Sequence, residues 1–284
     1  MNGEPRVEVL ADAEAVSASA AEQIATILRR ATDERGRADW ATTGGSTPAG
    51  IYRHLATPPL RDRVNWSAVH LWWGDDRFVP RDHPLSNVLP ADQILLEATA
   101  RAGLSGTGAT GGDVITGREP AADIPIHNIH AMPMGAAIGE NRGPAWVAAR
   151  YEAELRSAGL DVESGWPVFD LVLLGVGPDG HVLSVFPGSD AFDRREWVLP
   201  VPAPTHIEPK VTRVTLNPHV LDVARSVLVV ANGAGKAAIL SEVFGPTRDP
   251  RRWPAQLARR TGATWLLDEA AAARLPQAVS GRRT

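Results

Sequence analysis

An α/β fold with a mostly parallel sheet flanked by helices on both faces, Rossmann-like and carrying a small subsidiary lobe, is predicted by three observations. Strand-like apolar runs alternate with helical patterns along most of the chain; one run, Phe169 to Val176 (FDLVLLGV), is almost unbroken in apolar character; and polar, glycine-containing loops follow directly on several of the runs. A continuous apolar strand indicates burial on both faces, which parallel sheets require because their crossover helices cover them. With 284 residues, the chain can bury a sizeable core, since a chain of that size hides roughly 75% of its unfolded surface. No repeat and no linker divides it, so a single domain spanning 1–284 is expected.

Taken in order, Arg6 to Leu10 alternates polar and apolar residues as a strand does. Asp12 then caps a helix in which Val16, Ala20, Ile24, Ile27 and Leu28 recur at helical spacing. Ala38 to Thr43 reads as the second strand and runs into Gly44, Gly45, Ser46 and Thr47, after which Pro48 opens a short helix holding Ile51, Tyr52 and Leu55. Val69 to Trp73 is the third strand, followed by the loop GDDRFVPRDHPLSN and a helix around Ile94, Leu95 and Leu96. The stretch at about 101–120, containing GLSGTGATGG, is too polar and glycine-rich to bury a face and is read as a flexible surface insert without chemistry. The FDLVLLGV strand ends at Gly177; Ser226 to Ala231 forms another, leading through NGAGK into a helix from Ala237 to Phe244; and Thr264 to Leu267 precedes an alanine-rich helix.

Composition narrows the function. Lys and Arg number 29 against 33 Asp and Glu, a net charge of −4, so no global positive field draws in nucleic acid or an anionic membrane and any anion must be held locally. The absence of cysteine removes disulfides, thiolate metal sites and a Cys nucleophile, and suits a reducing compartment. The N-terminus has no basic-then-apolar leader and no run reaches the ~18 apolar residues of a membrane span, so a soluble cytoplasmic protein is expected.

The chemistry is expected where GGST (44–47), GDDR (74–77), GVGPDGH (175–181) and GAGK (233–236) each follow a strand. In an open parallel sheet these carboxyl ends line one crevice. For a single loop, the ordinary explanation is a strand-to-helix turn using Gly for its backbone angles; convergence of four weakens it. GGSTP offers backbone N–H groups and a helix start for an anion, Lys236 a point charge and Arg213 a planar fork, although long cations are often just solvated.

GVGPDGH contains G-x-G-x-x-G but is not a dinucleotide fingerprint, because HVLSVF meets Pro187 and Gly188 before a long helix can form. Its glycines instead shape a tight loop presenting Asp179 and His181. A histidine, with an ordinary pKa of ~6.5, can take a proton from water at neutral pH, and a neighbouring carboxylate can orient it; the alternative is a structural loop histidine. His54, His70, His83, His127, His130, His206 and His219 lack such a context and are assigned no role. In GDDR, Asp75 and Asp76 point in different directions, so at most one faces the crevice.

Several motifs are excluded by spelling. GAGKAA is not a Walker loop, since position 230 is Val and Ala237 replaces the Ser or Thr; GGSTP is not a nucleophile elbow, with Pro48 in place of the last Gly; and no H-E-x-x-H occurs, so no metal site is expected. The nine Trp residues are assigned to packing rather than base stacking.

TTGGSTP, WWGDDRFVPRDHPLSN, FDLVLLGVGPDGHVLSVFPGS, RVTLNP and NGAGKAAIL, in this order, resemble the 6-phosphogluconolactonase family. The likeness runs from about Val7 to TWLLDEAAA, broken at the glycine-rich insert, and the pairing of WGDDRFVP with GVGPDGH is highly specific. It implies a deaminase/lactonase-type fold and hydrolysis of 6-phospho-D-glucono-1,5-lactone to 6-phosphogluconate, the second step of the oxidative pentose phosphate pathway, with no cofactor and no metal. By the same resemblance, His181 would be the general base and Asp179 its neighbour. Asp75, the acid of the GDDR pair that the resemblance selects, would belong with His181 and Asp179 to the catalytic set and line the sugar pocket, where Arg77 would bind substrate. Gly44, Gly45, Ser46 and Thr47 with Arg213 and Lys236 would take the phosphate.

Two departures stand out: the acidic pair is Asp75-Asp76 where Asp-Glu is usual, and Val182-Leu183 replaces Thr-Ala after the motif His. The related glucosamine-6-phosphate deaminase/isomerase group uses an acid five positions after that His, here Phe186, and usually Tyr in place of Arg77, so the lactonase branch is favoured. A non-catalytic sugar-phosphate sensor is the alternative of another class, and retention of Asp179 and His181 speaks against it. A small-molecule sugar phosphate is the expected partner; no protein partner, a pathway dehydrogenase included, is legible.

Overall fold

The computed structural model describes residues 4–96 and 122–280; the glycine-rich insert at about 101–120 lies outside them. Twelve strands are described: β1 (Arg6–Leu10), β2 (Ala38–Thr42), β3 (Val69–Trp73), β4 (Asp75–Arg77), β5 (Ile129–His130), β6 (Val162–Glu163), β7 (Trp166–Pro167), β8 (Leu171–Gly175), β9 (Val198–Val201), β10 (Arg213–Leu216), β11 (Val227–Ala231) and β12 (Ala263–Asp268). Seven of them form the central sheet in the order β1-β12-β11-β8-β2-β3-β5, and every neighbouring pair in it is parallel.

Period-two alternation explains why both faces are covered. On β8, Leu171 and Leu173 join the core beneath helix α1 (Ala13–Arg35) and helix α2 (Ser46–Leu55), while Val172 and Leu174 join the core under the Pro144–Ser157 helix. Each such aliphatic chain contributes about 1.5–3 kcal/mol when fully buried. Helix α1 starts where Asp12 accepts the Ala15 N–H at 2.8 Å and ends at Gly36, whose φ of 71° lies in the left-handed region. Helix α3 (Leu89–Ile94) begins earlier than its apolar run suggested because Pro90 sits in its first turn. No helix among the described residues is long and apolar enough to cross a membrane.

The main difference from expectation is the segment after β3. Asp75 to Arg77 reads as a loop in the sequence, but it forms β4, at one edge of a three-stranded antiparallel sheet ordered β4-β10-β9. Three charged residues carry no apolar alternation, so this strand exists only because β10 supplies its hydrogen bonds. The register places Arg77 opposite Arg213 and Asp75 opposite Thr215. This small sheet lies over the carboxyl end of the central one: the Gly74 N–H donates to Thr42 O at 2.8 Å, and the Leu216 N–H to Gly74 O at 2.7 Å.

Candidate active site

The four loops singled out by sequence leave the carboxyl ends of β11, β8, β2 and β3, which are adjacent in the sheet in that order. Between β2 and α2, Gly45 at φ 103° turns the chain, and α2 begins at Ser46 with no side chain capping its first amides. A Cβ on Gly44 would lie 2.0 Å from Asn87 Oδ1 and 2.6 Å from its Cα, so only glycine lets this loop lie against the 86–88 segment. After β11, both Asp268 oxygens accept the Gly233 N–H at 2.9 Å, and Asn232 Nδ2 donates to Thr47 Oγ1 at 3.4 Å, tying the NGAGK loop to the GGST loop. Lys236 closes the short turn that follows. Its burial lowers its affinity for the proton, partly offset by the carboxylate of Asp179, so these two groups share one electrostatic environment.

The loop after β8 is held by its own backbone. The Gly177 N–H donates to His181 O at 2.9 Å and the Gly180 N–H to Gly177 O at 3.0 Å, with Gly180 at φ 85°. This folds the chain back so that Asp179 Oδ1 accepts from His181 Nδ1 at 2.6 Å and from the His181 backbone N–H at 3.2 Å. Among the described residues none bonds to His181 Nε2. The Phe186 ring lies against the imidazole, with centroids 4.7 Å apart. Residues 182–186 form a tight turn, not a helix, in keeping with the rejection of a dinucleotide fingerprint. His206, to which the sequence assigned nothing, occupies the other carboxylate oxygen, its Nε2 2.8 Å from Asp179 Oδ2. Burial raises the Asp179 carboxyl, but the bond and charge of His181 and the bond from His206 together hold it well below the usual carboxylate range. It is therefore an anion at every physiological pH.

Asp75 and Asp76 do point apart, as expected, yet both are buried. Asp75 Oδ2 accepts from Ser184 Oγ at 2.5 Å and Oδ1 from Asn87 Nδ2 at 3.1 Å, while the Ser184 N–H donates to Thr215 Oγ1 at 3.1 Å. Asp75 thus lies beneath the rim and joins the His181 loop to β4. Asp76 accepts the N–H groups of Asn87 and Arg77 at 2.7 and 2.8 Å and the Ser86 hydroxyl at 3.2 Å; burial nevertheless pushes its pKa up to about 7. Arg213 is buried with its Cζ 5.3 Å from the Phe186 centroid, and it feels the charges of Asp75, Arg77 and Asp179. One nitrogen of Arg77 donates to Leu85 O at 2.9 Å, and one of Arg213 to Pro209 O at 3.1 Å.

Four buried polar atoms around this rim, Arg77 Nε, Asn87 Oδ1, Arg213 Nε and Asn232 Oδ1, have no partner among the described residues. Native interiors rarely leave such groups unpaired, which sets these four apart from the hydrogen-bonded side chains around them. No group of three or more His, Asp or Glu among the described residues is arranged to hold a metal ion. An imidazole fixed in one tautomer, a helix N-terminus, one lysine and two arginines together suit proton transfer beside a bound anion.

Sequence reasoning missed His206, Asn87, Ser184, Asn232 and Asp268. Asn87, Ser184, Asn232 and Asp268 lie inside the quoted motifs, where their spacing offers no sign of the long-range bonds they make. His206 lies in none of them and meets Asp179 only through the tertiary fold.

A family model described as glucosamine-6-phosphate isomerases/6-phosphogluconolactonase matches residues 11–266. The chain is 33% identical to the 6-phosphogluconolactonase of Nostoc sp., over 95% of this chain and 98% of that protein. It is 34% identical to that of Synechocystis sp., over 94% and 97%. In structure it is similar to the 6-phosphogluconolactonase of Trypanosoma brucei, with a TM-score of 0.77, 28% identity and coverage of 96% of this chain and 100% of that one.

Proposed function

Because the chain belongs to the family of glucosamine-6-phosphate isomerases and 6-phosphogluconolactonases, we propose that it hydrolyses 6-phospho-D-glucono-1,5-lactone to 6-phosphogluconate in the pentose phosphate pathway, with His181 as general base. The observation that carries the assignment to His181 is its bond to Asp179 at 2.6 Å. An ionised Asp179 accepts the Nδ1 proton, which leaves Nε2 as a proton acceptor with no protein partner among the described residues.

A lactone is already an activated ester, so no covalent nucleophile is needed. Water is deprotonated by Nε2 as its oxygen bonds to C1, giving a tetrahedral oxyanion. When that oxyanion collapses, the bond from C1 to the ring oxygen breaks and the imidazolium returns its proton to the leaving oxygen. The new carboxylic acid then ionises. In this reading the loop amides of Gly44 and Gly45 and the first amides of α2 at Ser46 and Thr47, with Lys236 and Arg213, take the phosphate, and Arg77 lines the sugar pocket. Asp75 positions these groups through Ser184 and Asn87 rather than reacting. Phosphate binding far from C1 supplies orientation, the larger part of what an intramolecular geometry gains.

Phe186 supports the lactonase branch, because it packs on His181 where the deaminase branch would need an acid. A cytoplasmic enzyme acting on a small anionic sugar, without nucleic acid or membrane, belongs to the same proposal. The test is a rapid coupled assay of freshly generated 6-phosphogluconolactone beside glucosamine 6-phosphate, with spontaneous lactone hydrolysis subtracted. Turnover of the lactone alone is expected; turnover of the amino sugar alone would overturn the assignment.

A further inference from the structure

We infer that His206 is a positioning residue for the reaction: by holding the second oxygen of Asp179, it keeps the first on Nδ1 of His181 and so fixes the direction of the base. The inference rests on the reading of His181 as base but adds a residue outside the motifs that carry that reading. His206 lies in the connection between β9 and β10, 27 residues from Asp179, with its Nε2 2.8 Å from Asp179 Oδ2. Its side chain is 49% exposed, whereas those of Asp179 and His181 are 16% and 15% exposed. The ring of His206 stands edge-on to Phe186 with centroids 5.8 Å apart, and Phe186 in turn lies against His181. The two imidazoles and the carboxylate therefore close around one aromatic ring.

The physical need for such a clamp follows from the loop. Asp179 sits between Pro178 and Gly180, whose φ of 85° marks a backbone with no side chain to stiffen it. Bonded only through Oδ1, the carboxylate would be free to rotate about its last torsion, which is broad for an aspartate. A bond on each oxygen removes that freedom. His206 needs only to donate an N–H, and the donor arrives from the connection that leads into β10, the strand that carries Arg213, so the clamp also couples that connection to the base.

The same geometry makes the clamp visible in a pH profile. The charged or titratable groups facing Asp179 are His181 on its own loop, His206 from the connection after β9, Lys236 from the turn after β11 and Arg213 from β10. With His206 gone, the carboxylate is shared by one imidazole fewer; rotation about its last torsion moves its oxygens but leaves the carboxyl carbon in place, so its charge still acts on His181, now without a competing donor. A side chain that merely stabilised the loop would not move the acid limb of the profile.

The experiment compares His206→Ala, His206→Gln and His181→Ala as full-length proteins in the coupled lactone assay, with a thermal melt for each. His206→Ala is expected to lower kcat by about ten- to a hundredfold, with KM changed less than about threefold, as a slip of the base demands. Its acid limb of kcat/KM should move to higher pH, and His206→Gln, which keeps a donor, should recover most of kcat. Wild-type kcat and an unmoved acid limb in His206→Ala, together with an inactive His181→Ala, would overturn the clamp while leaving the base in place. An active His181→Ala would instead overturn the base itself. Should His206→Ala melt early, failure of folded His206→Gln to approach wild-type kcat would likewise overturn the clamp.

Discussion

Replacing His181 with alanine is expected to lower kcat for lactone hydrolysis by about 10²–10⁴-fold, the usual worth of general-base help, while KM changes little. The imidazole makes its one described side-chain hydrogen bond to Asp179, so its removal takes away the proton acceptor without disturbing the loops that would hold the phosphate. A loss in kcat and kcat/KM together is the mark of an interaction made in the transition state. Wild-type kcat in His181→Ala, measured in the coupled assay, would remove this residue from the mechanism.

Gly177→Ala is expected to come close to the same loss without replacing a titrating group. A Cβ at this position would lie 2.0 Å from His181 Nδ1, 2.2 Å from its Cε1 and 2.7 Å from Asp179 Oδ1. Each distance is far inside contact, and the nearest atom is the nitrogen that holds the pair together. The glycine does not have a positive φ, so the backbone itself tolerates alanine; the strain falls on the imidazole. The ring must swing away, and a displacement on the order of 1 Å costs about a hundredfold in rate. Overpacking of this kind costs roughly 1–3 kcal/mol of stability, so the variant should remain folded with a modestly lower Tm. A Gly177→Ala enzyme that melts close to wild type and turns over at the wild-type rate would show that catalysis does not depend on where this ring sits.

What was legible in the sequence is what local spelling encodes. An unbroken run such as FDLVLLGV announces a strand covered on both faces, and the structure seats Leu171 and Leu173 in one core and Val172 and Leu174 in the other. Glycine-bearing loops after strands announce carboxyl-end turns, and four of them do leave adjacent strands. The three-stranded sheet was not legible, because Asp75-Asp76-Arg77 has no strand pattern of its own and pairs only through β10. His206 could not be found for a related reason: it meets Asp179 from 27 residues away, out of a proline-rich connection with no motif. Likewise Ser184 reaches Asp75 across 109 residues. Bonds of that range are fixed by how the small sheet seats on the large one, which no window of sequence contains.

The proposed function requires these loops to hold an anionic sugar phosphate against His181. Its most direct test is kcat/KM for 6-phosphogluconolactone and for unphosphorylated glucono-1,5-lactone in wild type and Lys236→Ala. A charge-assisted hydrogen bond is worth about 1.5–3 kcal/mol, so a fall of roughly ten- to a hundredfold is expected for the phosphorylated lactone, with the unphosphorylated one little changed. An equal fall for both lactones, or none for either, would contradict it.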